Sequence, residues 1–207
     1  MKQLKIFISG MMAGLAISLG GTVFLSVDSK IIGALAFTVG LFSVCTRGLA
    51  LYTGRVCYLF ENDRAYALDL PIIWLGNLAG TFLTAQILLQ TRIAPILREK
   101  AAGLCETKLS DDLLSIFILA IFCNILIFIA VDGFRQNPHE LGKYLALFFG
   151  VVVFILCGFE HCVANMYYFS VAGAWSAKTL LYVLVMTAGN SVGGLLLPLL
   201  HRFVSRN

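Results

Sequence analysis

Six apolar runs divide this chain, each close to the roughly 20 residues a helix needs to cross a bilayer. They are Leu4–Val27, Ile31–Phe60, Leu70–Leu89, Leu113–Val131, Tyr144–Val171 and Lys178–Val204. Polar connectors lie between them at Asp28–Lys30, Glu61–Asp69, Gln90–Asp112, Asp132–Lys143 and Gly173–Ala177. The pattern predicts an all-α membrane protein of six transmembrane helices, forming a single transmembrane domain over residues 1–207. The first run continues from Ile6 to Val27, longer than a signal h-region, and no Ala-x-Ala site follows it, so it is expected to remain as the first span.

Two of the six runs are interrupted. Cys45–Arg55 breaks the second and Cys157–Asn165 the fifth, at corresponding places in two three-span halves, about residues 1–100 and 101–207. Gly76-Asn77-Leu-Ala-Gly80 in the third run resembles Gly189-Asn190-Ser-Val-Gly193 in the sixth, at a constant offset of 113. An odd number of spans per half inverts one half against the other, and paired broken helices in inverted repeats point to a transport site near the midplane. Close helix packing by the glycines is the alternative. It leaves Arg47, Glu160 and His161 at membrane depth unexplained, where ionisable groups are expensive and usually functional.

Composition agrees with a membrane setting. Hydrophobic residues make up 59% and charged ones 13%, against roughly 25% charged in soluble domains, and mean hydropathy is +0.90. The net charge of +4 is spread without a basic block, which excludes a nucleic-acid surface. With an even number of spans, both termini share a side. That side holds Lys2, Lys5, Arg55, Arg64, Arg135, Lys143, Arg202 and Arg206, against Lys30, Arg92, Arg98, Lys100, Lys108 and Lys178 opposite. The balance places both termini in the cytoplasm. The six cysteines are scattered through apolar runs and are expected as buried thiols rather than a disulfide framework.

His161 is the sharpest candidate for chemistry, because an imidazole changes charge near neutral pH and can donate a hydrogen bond to an anion or pass a proton. A structural histidine bound to a backbone carbonyl is the plain alternative. Glu160 is expected to point away from it and to support the break, by binding exposed backbone amides or a neighbouring subunit. Thr53 is expected to cap the restarting second helix, with Gly54 easing the backbone. Asn77, Asn124 and Asn190 are placed either on the exposed backbone of the breaks or as polar glue between helices. Lys108, read alone, is a solvated surface lysine. Cys157, His161 and Cys162 lack usual zinc spacing, and neither a Gly-x-Ser-x-Gly elbow nor a Ser-His-Asp set is present. No cofactor and no metal are expected.

Gly158-Phe-Glu-His161-Cys-Val-Ala-Asn165-Met-Tyr resembles the signature of the formate/nitrite transporter family, Gly-Phe-Glu-His, a small residue, an aliphatic one, then Ala-Asn-Met. Leu51-Tyr52-Thr53-Gly54 resembles the Leu-Phe-Thr loop of that family's broken second helix. Asn77, Asn190 and Asn124 match asparagines of its third, sixth and fourth helices, and Lys108 stands 53 residues before His161, as in the family. The resemblance covers essentially the whole chain. It implies an aquaporin-like protomer in a homopentamer, with one pore per subunit for small monovalent anions of weak acids. His161 would lie at the pore centre, with Thr53, Asn124 and Asn165 beside it. Phe37, Leu41, Leu51, Tyr52 and Phe154 would form two constrictions, and Lys108 would draw anions into the outer vestibule. Two departures bear on selectivity: Gly48-Leu49-Ala50 and Arg47 stand where the family loop carries an acidic residue, and Tyr52 replaces Phe.

The expected function is a passive or proton-coupled channel for formate, nitrite or hydrosulfide in a bacterial cytoplasmic (inner) membrane. Its expected partners are small anions, protons, membrane lipid and other copies of the chain. The alternatives are an intramembrane enzyme using His161 and a metal or cation transporter using Glu160 and the cysteines. Flux of weak-acid anions through the purified protein separates them.

Overall fold

The structure, a computed structural model, describes residues 1–205; Arg206, one of the cations in the orientation balance, lies outside them. In chain order the described residues form α1 (Lys2–Ser26), α2 (Lys30–Thr46), α3 (Tyr52–Val56), α4 (Arg64–Leu88), α5 (Ala94–Ser110), α6 (Leu113–Gln136), α7 (Glu140–Leu156), α8 (Cys162–Ala172) and α9 (Ala177–Val204). A 3₁₀ turn at Leu59–Glu61 follows α3. Helices α1, α4, α6 and α9 are long and apolar enough to cross a membrane. At 1.5 Å per residue each spans roughly 36–42 Å, more than the ~30 Å hydrocarbon core.

Capping side chains set where several helices start, and so shift them from the apolar runs. Asp63 accepts the Tyr66 N–H at 2.9 Å, which starts α4 at Arg64, ahead of the apolar run at Leu70. Asp112 accepts the Leu114 and Ser115 amides, each at 2.9 Å, at the head of α6. Ser29 and Ser176 cap α2 and α9 in the same way. Each such bond removes one of the four orphan donors of a helix start.

The connector expected over Gln90–Asp112 is instead mostly the helix α5. Pro95 sits in its first turn, where a missing N–H costs nothing. Leu97, Ala101 and Cys105 recur every fourth residue and are buried, packing the helix against α8. Of its five charged residues, Arg98, Glu99 and Glu106 are exposed.

Tight helix crossings frame the two halves. Helix α1 packs on α4, and α6 packs on α9. A methyl group at Gly76 would stand 2.5 Å from the Phe7 carbonyl oxygen, and one at Gly189 2.5 Å from that of Phe117. At Gly80 and Gly193 it would overlap the carbonyls of Met11 and Ile121. These glycines therefore do allow close backbone approach, alongside the breaks rather than in place of them. Helix α8 sits at the centre, every residue from Cys162 to Val171 being buried. Cys57, Cys105, Cys123 and Cys162 are buried thiols, whereas Cys157 is exposed at the start of a break.

Candidate functional site

The helical path stops after Thr46 and resumes at Tyr52, and stops again after Leu156 and resumes at Cys162. The two interruptions correspond residue by residue at an offset of 110. Gly48 and Gly158 take φ of +64° and +72°, a region open to glycine without strain. The Leu49 N–H reaches the Val44 carbonyl and the Phe159 N–H the Phe154 carbonyl, both at 2.9 Å.

One asparagine closes each break. Asn77 accepts the Tyr52 N–H and donates to the carbonyls of Ala50 and Gly10, all at 2.9 Å. Asn190 accepts the Cys162 N–H at 2.9 Å and donates to the carbonyls of Glu160 and Ala120 at 2.8 Å. Each amide thus pairs both the donor and the acceptor that a buried helix break would leave unmade, groups worth about 1–3 kcal/mol apiece when stranded.

The side chains carried on this repeated backbone differ. Position 51 is leucine and its counterpart 161 is histidine, both at most 2% exposed. Nδ1 of His161 accepts the Ala164 N–H at 3.1 Å and so caps α8. That bond leaves the neutral ring's proton on Nε2, which lies 2.9 Å from Thr53 Oγ1 and donates to it. Thr53 is therefore not the cap of α3, whose preceding residue Leu51 makes no side-chain cap bond. Its hydroxyl faces the imidazole, and its own proton remains available. The Thr53 carbonyl accepts from Asn124 Nδ2 at 3.1 Å, an amide that also donates to the Asn190 carbonyl at 2.6 Å. Phe154 stacks on the imidazole with ring centroids 5.7 Å apart, and meets Phe37 edge-on at 6.0 Å.

Glu160 turns away from His161 to a partner outside the break. Its carboxylate accepts from Lys108 Nζ at 2.8 and 2.7 Å and from Asn165 Nδ2 at 2.8 Å. This corrects two expectations. Lys108 is not a solvated lysine: its side chain is 13% exposed and bound to a carboxylate that is 4% exposed. Glu160 does not bind the stranded backbone amides, a task the asparagines perform. Asn165 Nδ2 also donates to the His161 carbonyl at 3.0 Å, while its Oδ1, like that of Asn124, has no partner among the described residues.

Two cavities flank this assembly. The first, of about 290 Å³, is lined by His161, Phe154, Glu160, Asn165 and Lys108. The second, of about 270 Å³, is lined by Leu51, Val44, Arg55, Tyr58 and Arg135. They follow the same repeat: Val44, Gly48, Leu51, Gly54, Arg55 and Tyr58 line one, and Phe154, Gly158, His161, Ala164, Asn165 and Tyr168 line the other. Phe37 and Leu41, 2% and 1% exposed, border neither. Tyr52 lies elsewhere, in a groove between α4 and α9, and its hydroxyl shares a 2.9 Å hydrogen bond with Ser191. Arg47 is exposed at the end of α2. That half-buried Arg55 and exposed Arg135 line one cavity was not legible from the sequence; the signal that was available is that Arg55 falls at the repeat position of Asn165.

These features define a helical membrane protein with a repeated pair of broken helices around a buried histidine–threonine contact. The chain belongs to the formate/nitrite transporter family, whose description, "Formate/nitrite transporter", matches residues 1–204. It is similar to the uncharacterized transporter YrhG of Bacillus subtilis, 32% identical over 150 residues, which are 67% of this chain and 56% of that protein. The formate channel FocB of Escherichia coli is 23% identical over 186 residues, 80% of this chain and 65% of its own length. The nitrite transporter NirC of Escherichia coli is 26% identical over 217 aligned positions, covering 92% of this chain and 80% of NirC. The chain therefore spans less than two thirds of the length of YrhG and FocB. Among solved structures, a pentameric formate channel with formate bound superposes with a TM-score of 0.83 at 23% identity, over 98% of this chain and 97% of that one. A channel described as an FNT family ion channel superposes with a TM-score of 0.85 at 23% identity, over 99% and 91%.

Proposed function

We propose that the chain is one protomer of a homopentameric channel for small monovalent anions of weak acids, with formate, nitrite and hydrosulfide as candidates. Each protomer has six membrane spans in an inverted three-plus-three, aquaporin-like arrangement, the second and fifth spans being α2–α3 and α7–α8. It sits in a bacterial cytoplasmic membrane with both termini inside. The observation that carries this is the His161 Nε2–Thr53 Oγ1 contact of 2.9 Å, which joins the two helix breaks at the floor of a cavity. Family membership and the formate channel's fold support it, and that channel's pentameric assembly supports the homopentamer.

The partition between the cavities consists of Phe37, Leu41, Leu51 and Phe154, with Thr53 and His161 supplying its polar atoms. An apolar partition excludes strong-acid ions that cannot shed their charge, since a bare charge is costly in such surroundings. A weak-acid anion instead meets the imidazole N–H and the threonine O–H and crosses neutral, in company with a proton. Glu160, held by Lys108 and Asn165, keeps its charge off that path. The relatives named above are transporters and channels, which favours transport over an intramembrane hydrolase. Purified protein in liposomes is expected to pass at least one of formate, nitrite and hydrosulfide and to retain chloride. His161→Asn should preserve assembly and remove the pH dependence of uptake. Absence of flux for all three anions defeats the channel, and unchanged pH behaviour in the variant removes the histidine from the mechanism.

A further inference from the structure

The cavity on the Leu51 side holds two guanidinium groups for which the function above has no use. Arg55 lines it from α3, and Arg135 lines it from the end of α6. No carboxylate lines this cavity, and among the described residues neither arginine has an ion-pair partner. Asp132 accepts the Tyr58 hydroxyl at 3.1 Å and lines a different cavity. Arg135 is held over the Tyr58 ring, 4.2 Å from its centroid, and the Arg55 guanidinium donates to the Gly48 carbonyl at 3.5 Å. Stacking fixes a guanidinium plane while leaving its edge N–H groups free to donate.

The His161 side is different. Its cations Lys30 and Lys108 are matched there by Asp111 and Glu160, so its formal charges cancel. The repeat puts uncharged Asn165 where Arg55 stands. A cleft lined by two cations and no carboxylate focuses the field and raises the local concentration of anions.

We propose that Arg55 and Arg135 form an anion-capture site in the Leu51-side vestibule, selective for planar two-oxygen anions such as carboxylate or nitrite. The guanidinium fork matches two oxygens side by side, whereas a single-atom acceptor such as hydrosulfide engages only one N–H. The site supplies anions to the leucine face of the partition, and in that role it rests on the channel reading; binding itself does not. On this view the two mouths load differently, one by net charge and the other by hydrogen bonding.

The test is binding of ¹³C-formate to the detergent-solubilised protein, followed by line broadening, beside formate and hydrosulfide uptake in liposomes. Arg55→Gln/Arg135→Gln should raise the half-saturation concentration for formate about tenfold and flatten its dependence on ionic strength. Arg55→Lys/Arg135→Lys should restore the salt dependence but only part of the formate affinity, with hydrosulfide half-saturation recovering fully. Should the glutamine pair not elute as the wild-type oligomer, the single substitutions, each expected to weaken binding about threefold, decide the matter. Unchanged formate binding in the folded glutamine variants overturns the site while leaving the channel standing. Normal formate binding without any flux in wild type defeats the channel and leaves the site.

Discussion

The cavity floored by His161 and the cavity floored by Leu51 are lined from matching positions of two backbone repeats, yet their chemistry is nearly opposite. One places a histidine, an asparagine and a buried, cancelled ion pair around its base. The other places a leucine at its base and two arginines, with no carboxylate, in its walls. The positions that keep identity are those that make the shape: Gly48 with Gly158, and Asn77 with Asn190. Among the cavity-lining positions, Leu51 and His161, and Arg55 and Asn165, diverge, while Tyr58 and Tyr168 keep identity. A repeated scaffold thus sets where groups can stand, and the departures from the repeat determine what each side does.

Breaking the ion pair on the histidine side should have the largest effect. Lys108→Met leaves Glu160 as an unpaired buried carboxylate, which typically costs about 3–5 kcal/mol. A marked fall in thermal midpoint in detergent is expected, and Lys108→Met/Glu160→Gln should recover most of it. Equal instability of the single and double variants would mean that the pair is not coupled. Next comes the equivalence of the breaks. Asn77→Ala and Asn190→Ala each strand one amide and one break carbonyl, at about 3 kcal/mol together. Matching losses of midpoint are expected, and a large difference would show that the two breaks bear unequal load.

The smallest effect concerns α5, which lines only the histidine-side cavity. Lys100 ties it to the α1–α2 connection, donating to the Val27 carbonyl at 2.9 Å and to Asp28 at 2.7 Å. The Lys100 ammonium, through its hydrogen bond and charge, holds the exposed Asp28 carboxyl below its ordinary value. A lowered folded value means the contribution is complete above about pH 4 and is lost as pH falls through the lowered value. Lys100→Gln should modestly speed amide exchange in α5 at neutral pH, and the difference from wild type should shrink in acid. Slower exchange in the variant would refute the tie.

The breaks and their asparagines were legible in the chain because they rest on local chemistry: glycine where φ is positive, and polar residues inside apolar runs. Family motifs then brought in Lys108 and Thr53. What the pattern alone misjudged depended on partners far along the chain. Lys108 looks solvated until Glu160, 52 residues away, arrives beside it. Thr53 is chemically fit to cap a helix, and only the fold shows that His161 competes for its hydroxyl. Helix α5 was hidden by its charges, although Leu97, Ala101 and Cys105 already kept helical spacing. Tyr52 sits in the constriction motif, but the two-way choice of side for its ring is settled by Ser191 on α9.

Asn77 and Asn190 grip main-chain atoms only. A bond to an N–H or a carbonyl is indifferent to the side chain that residue carries, so this pairing itself makes no demand on the side chains of Ala50, Tyr52 or Cys162. Such a scaffold behaves as a socket. Successive generations, or a designer, can exchange the residues at the two turns and retune what passes, without first rebuilding the structure that holds them.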